Sequence, residues 1–191
     1  MKDPDVEANA RLTGYVGAIL VLLLAGEFVT GLRSKQLLPA HAVIGFLLIP
    51  PVLLKLASVG YRFARYYTGE PRYRAAGPPC LAMRLLGPVV VLLTVIVFAT
   101  GIELWLFGYR FGFFWVPLHH ASAYLWFLAM AIHVGNYLVR STELATADWR
   151  DHLRGAFTRR SLVVSSLILG AVLAIAMLPF PTPFLPTAGG G

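Results

Sequence analysis

Seven ionisable residues interrupt otherwise apolar runs: Glu27, His41, Lys55, Glu103, His119, His120 and His133. A cation at a membrane helix centre costs about 3 kcal/mol on insertion scales, so such residues point to function. Their spacing is ordered. Pro39, His41, Lys55 and Arg62 recur as Pro117, His119, His133 and Arg140, each 78 positions later. The pattern P-x-H-x13-[K/H]-x6-R therefore occurs twice. Glu27 and Glu103 give a looser echo, 76 positions apart, each shortly after a glycine (Gly26 and Gly101). Such a pattern is what two parallel copies of one helical hairpin would leave.

Helical geometry says which residues can meet. Fourteen residues rise about 21 Å, four turns, and return to within roughly 40° of the starting face. His119 and His133 therefore share a face, whereas His120 and His133 fall roughly 140° apart. If the two helices run the same way, His41 and His119 lie at one depth, Lys55 and His133 at the other. Facing pairs inside a bundle suit metal centres. Haem is the best candidate, because two neutral imidazoles can clamp one iron. Zinc needs a third or fourth converging ligand, and neither level offers one. The expected metal ligands are His41, His119, His133 and Lys55; the competing reading is cross-helix hydrogen bonding to Ser, Thr or Glu.

Lys55 carries several readings. A desolvated, neutral amine can ligate iron. The side chain can instead contact a propionate, snorkel to the interface, or be turned away by a kink at Pro50–Pro51. Arg62 and Arg140 lie seven residues, roughly 10 Å, beyond the second ligand pair and suit haem propionates; a basic-side bias explains them equally well. One cysteine, Cys80, rules out a disulfide framework, a Cys-rich zinc site and covalent haem attachment, so the expected cofactor is haem b, two copies or one. Glu27 and Glu103 can take quinol protons, orient a ligand histidine or bond across helices. His120 reads as part of a quinone or proton pathway, or as merely interfacial. Trp105, Tyr109 and Trp115 read as one interfacial belt, Tyr61, Tyr66 and Tyr67 as the other. His152 falls in a polar, solvated loop. No catalytic residue is evident.

Elements able to hold these residues are plain in the composition. Hydrophobic residues are 58% of the 191 and charged ones 13%. Five apolar runs, Gly14–Leu32, Ala40–Gly60, Gly87–Gly108, Pro117–Leu138 and Ser161–Phe180, each match a span of about 20 helical residues. Period-two alternation is missing, which excludes a transmembrane β-barrel. Met1–Arg11 holds more acidic than basic residues, a poor signal-peptide start, so the first run reads as a retained helix. The expected fold is an all-α membrane protein with five transmembrane helices, the first four forming a haem-binding four-helix bundle from two parallel hairpin repeats. The expected divisions are 1–13 as a cytoplasmic N-terminal segment, 14–140 as the bundle, 141–160 as a cytoplasmic loop, 161–180 as the fifth helix and 181–191 as an extracytoplasmic tail. Twelve of the 16 Lys and Arg flank one side and three the other, which places the N-terminus in the cytoplasm and the C-terminus outside. The net charge of +7 belongs to these flanks, a lipid signature rather than a nucleic-acid one. No Gly-rich dinucleotide fingerprint or flavin-sized insert occurs, so any substrate chemistry falls to another subunit. A cofactor-free transporter or assembly protein is the alternative class, since Pro50–Pro51 suits a broken helix near the midplane.

The run HAVIGFLLIPPVLLKLASVGYRFARYYTGEPRYRAAGPP and the later LHHASAYLWFLAMAIHV resemble membrane-integral di-haem b-type cytochromes. The closer likeness is to small bacterial cytochrome b/b6-like subunits, similar to those that accompany extracytoplasmic molybdopterin oxidoreductases. The likeness spans roughly residues 14–140 and implies ligand roles for His41, His119 and His133. Lys55 departs from it, standing where the pattern has histidine. The resemblance implies transmembrane electron transfer in a bacterial inner membrane, with a quinone pool or other donor and an extracytoplasmic redox protein as partners. A single-haem form with only His41 and His119 occupied is the nearer alternative.

Overall fold

The computed structural model describes residues 3–179 apart from 151–154 and the side chains of 147–150; His152 and the tail 181–191 lie outside it. Among the described residues six helices follow in order: α1 (Pro4–Leu32), α2 (Ser34–Tyr67), α3 (Pro71–Ala75), α4 (Leu81–Phe107), α5 (Trp115–Arg150) and α6 (Ala156–Met177). No strand occurs among the described residues. All but the five-residue α3 are long and apolar enough to cross a membrane. Their outward faces carry large apolar side chains such as Leu92, Val95, Leu125, Leu128, Ile168 and Leu169. That is the surface a hydrocarbon solvent requires.

Local chemistry sets the ends. The Asp3 side chain accepts from the backbone N–H groups of Asp5 (3.0 Å) and Val6 (3.4 Å), Pro4 opens the first turn, and Asp5 and Glu7 complement the helix dipole. The helix thus begins ten residues before the apolar run expected from Gly14. Gly108, at φ +59°, closes α4 in a conformation that side chains with a Cβ avoid. The interval 141–160, expected as a loop, is largely helical: α5 continues to Arg150 and α6 begins at Ala156.

The di-proline does not break α2. Among its residues only Leu37 departs from helical φ/ψ, two positions before Pro39, so the kink lies near the start of the helix. Pro50 and Pro51 still remove two N–H donors and free the carbonyls of Phe46 and Leu47. Gly170 of α6 packs directly on the Leu47 carbonyl, where a Cβ would collide. This close approach docks α6 along α2, with Val163, Ser166, Gly170 and Ala174 buried on its inner stripe. Small residues at a membrane-helix contact let backbones come together where the hydrophobic effect gives no drive.

Helices α1, α2, α4 and α5 close a ring: α1 packs on α2 and α5, α4 on α5, and α2 more lightly on α4. Helices α2 and α5 are therefore diagonal partners that face each other across the bundle. Val16, Leu20, Leu24, Leu48, Val52, Trp126 and Val163 form its main core. Trp126 donates to the Thr94 hydroxyl at 2.7 Å, tying α5 to α4. Trp105, expected in an interfacial belt, is instead buried against Phe46 and donates to the Met177 carbonyl of α6 at 3.1 Å. Beyond the bundle, Arg72 of α3 reaches Asp5 (2.6 Å), Glu70 (3.0 Å) and Asp3 (3.9 Å), pinning the α2–α4 connection to the start of α1. Glu70 first, then Asp5, holds the Arg72 guanidinium above its usual pKa.

Candidate functional site

The helices alternate in direction, so α2 begins and α4 ends on the side of the bundle opposite the N-terminus. His41, near the start of α2, and His119, near the start of α5, meet there across the diagonal. Their ring centroids are 6.3 Å apart and the planes cross at 73°. Each imidazole also turns its Nδ1 to a polar group on a third or fourth helix. His119 Nδ1 lies 2.9 Å from Thr100 Oγ1 on α4. His41 Nδ1 lies 3.2 Å from Glu27 Oε1 on α1, within ion-pair reach but off the line of a hydrogen bond. Four helices thus contribute one group each, in the spatial order Glu27, His41, His119, Thr100.

The Thr100 hydroxyl has one hydrogen and three acceptors in reach: the Ile96 carbonyl (2.7 Å), the Val97 carbonyl (3.1 Å) and His119 Nδ1 (2.9 Å). With that hydrogen on either carbonyl, the oxygen accepts from Nδ1–H and Nε2 keeps its lone pair. A neutral imidazole with Nδ1–H bonded and Nε2 free is the form that binds metals.

Two glycines make room for the rings. A Cβ at Gly31 would stand 3.4 Å from His41 Cε1, and one at Gly101 would stand 3.1 Å from His119 Cε1. Each follows a buried threonine, Thr30 or Thr100, whose hydroxyl bonds back into its own helix. The two Thr-Gly pairs are 70 positions apart. The glycines of this echo abut the imidazoles, and of the two glutamates only Glu27 reaches one. Glu103 touches neither histidine, and both its carboxylate oxygens are buried without a hydrogen-bond partner among the described residues. His120 is exposed, its ring 6.4 Å from that of His119.

The second level, on the N-terminal side, is arranged differently. Lys55 Nζ donates to the Thr13 carbonyl of α1 at 2.6 Å. It belongs to a polar patch between α1 and α2 in which Asn9 and Ser58 exchange hydrogen bonds (3.2 and 2.9 Å) and the Thr13 and Ser58 hydroxyls touch. The lysine end packs over Gly17, where a Cβ would stand 2.7 Å from Nζ and the flexible side chain would have to shift. His133 stacks beside Tyr137 at 5.0 Å, and its Nδ1 is buried with no hydrogen-bond partner among the described residues. Arg62 on α2 and Arg140 on α5, the diagonal helices, each lie seven residues beyond Lys55 and His133.

A metal–imidazole bond of about 2 Å and about 1.1–1.2 Å from nitrogen to ring centre put two clamping rings roughly 6.2–6.4 Å apart, which the His41–His119 spacing matches. Among the described residues no three His, Cys, Asp or Glu side chains converge as a metal cage. Comparison with known proteins adds no identification: no family model matches the chain, and neither curated proteins nor solved structures give a significant match. The sequence reading passed over Thr100, Gly31 and the Asn9–Thr13–Ser58 patch; the Thr-Gly repeat inside apolar runs was the available signal for the first two.

Proposed function

We propose that this chain is a membrane-integral b-type cytochrome that carries electrons across a bilayer, with His41 and His119 as axial ligands of one haem. One observation carries the reading: two imidazoles on diagonal helices stand 6.3 Å apart, each with its Nδ1 turned to a polar group behind it. A haem held there supplies one-electron redox chemistry. His41 and His119 would hold it, Thr100 and Glu27 would orient the two rings, and Gly31 and Gly101 leave the rings their space. The lone cysteine leaves no covalent attachment motif, hence type b.

At the second level His133 is a further candidate ligand with Lys55 opposite, and Arg62 and Arg140 are candidate partners for propionates. One observation favours a single-haem form: the Lys55 amine is already held by Thr13. With the basic residues taken as cytoplasmic, the His41–His119 level faces outward. A quinone or cytoplasmic donor on one side and an extracytoplasmic redox partner, such as a molybdopterin oxidoreductase, on the other follow from the family resemblance. The test is an absorption spectrum of the purified full chain. A Soret band with a reduced α-band supports the proposal; a colourless protein purified from haem-replete cells removes it.

A further inference from the structure

The two halves of the histidine pair are not equivalent. Thr30 and Thr100 occupy matching places, each beside the glycine that abuts an imidazole. Yet only Thr100 reaches its histidine. On the other half a carboxylate takes that place, Glu27 Oε1 standing 3.2 Å from His41 Nδ1. This Nδ1 and Glu27 Oε2 are both buried without a hydrogen bond among the described residues. Glu27 Oε1 also rests 3.4 Å from where a Cβ would stand at Gly45, one turn beyond His41. The glycine therefore lets the carboxylate lie along α2 at the level of the ring. A small rotation of the imidazole aligns Nδ1–H with Oε1.

We infer that Glu27 is a positioning residue that makes His41 the more electron-rich of the two axial ligands and so holds the haem at a low reduction potential. The inference rests on the haem assignment of His41 and His119 and adds to it which residue sets the potential. An imidazole whose Nδ1–H is shared with a carboxylate donates more strongly through Nε2 than one bonded to a neutral hydroxyl. Stronger donation favours the higher oxidation state of the iron, and the nearby negative charge acts in the same direction. Glu103, a second buried carboxylate on the same side of the bundle, touches no imidazole and supplies an internal control.

The experiment is a spectroelectrochemical titration of the full-length, haem-loaded chain and its Glu27→Gln and Glu103→Gln variants. Glu27→Gln is expected to keep haem content and move the midpoint potential upward, with altered low-spin g-values. Glu103→Gln is expected to shift it much less. If Glu27→Gln does not accumulate with haem, Glu27→Asp, which withdraws the carboxylate by one methylene, is read instead, with a shift of the same sign. An unchanged potential overturns the inference, as does an equal shift from Glu103→Gln, which would make the effect a general field. Absence of haem from the parent chain refutes the ligand assignment itself and is thereby distinguished.

Discussion

Thr100→Val swaps a hydroxyl for a methyl at nearly constant shape in a residue only 2% exposed. What it removes is the acceptor 2.9 Å from His119 Nδ1. Without a bound metal, His119 can answer by moving its proton to Nε2. With Nε2 committed to a metal, the proton must stay on Nδ1, which loses the threonine oxygen and keeps only the Val97 carbonyl. The penalty for a buried donor left unsatisfied, about 1–3 kcal/mol, is the upper bound, and it falls on the loaded state alone. At about 1.4 kcal/mol per decade that bound weakens haem binding by about 5- to 150-fold. Loss of second-shell partners elsewhere costs about 10–100-fold, within the same range. The assay is haem titration of the stripped protein in detergent, followed at the Soret band. Thr100→Ser should restore the affinity. Thr94→Val, which breaks the 2.7 Å bond from Trp126 between the same two helices, should lower stability but leave haem affinity near the parent value. Parent-like affinity in Thr100→Val, or equal weakening by Thr94→Val, would refute the tautomer argument.

Gly170→Val should lower the thermal midpoint, because overpacking against the Leu47 carbonyl costs about 1–3 kcal/mol; an unchanged midpoint would show that α6 does not depend on that approach. Lys55→Met should leave the low-spin electron paramagnetic resonance signal and haem count intact if Thr13 holds the amine, and loss of one low-spin species would make Lys55 a ligand. A periplasm-active reporter fused at the C-terminus should work and a cytoplasm-active one should not, and the opposite result would reverse the sidedness of the His41–His119 level.

Helix identity and number were readable because uniformly apolar runs of spanning length admit little else. The equal spacing within the two helices was readable too, since His41–Lys55 and His119–His133 each span 14 residues; that His41 and His119 share a depth came from the fold, because relative height depends on the connections. What lies behind the imidazoles was not readable. Glu27 and Thr100 sit on helices antiparallel to those of the histidines, so their register depends on the length of each turn. The second connection is longer, and that carries Glu103 away from His119 and brings Thr100 to it. The direction of Lys55 was equally hidden, because a long flexible stem reaches either α5 or the Thr13 carbonyl from the same Cα. The di-proline misled for a related reason: its orphaned carbonyl finds its neighbour on α6, and a proline read alone says nothing of that helix.

Pyridine haemochrome quantification per polypeptide, on the purified parent chain and on His41→Ala, His119→Ala and His120→Ala, bears most directly on whether the paired histidines hold a haem. The parent should carry at least one haem b per chain, the first two variants should each lose one, and His120→Ala should match the parent. A parent without haem, or one haem retained unchanged through His41→Ala and His119→Ala, would contradict the assignment.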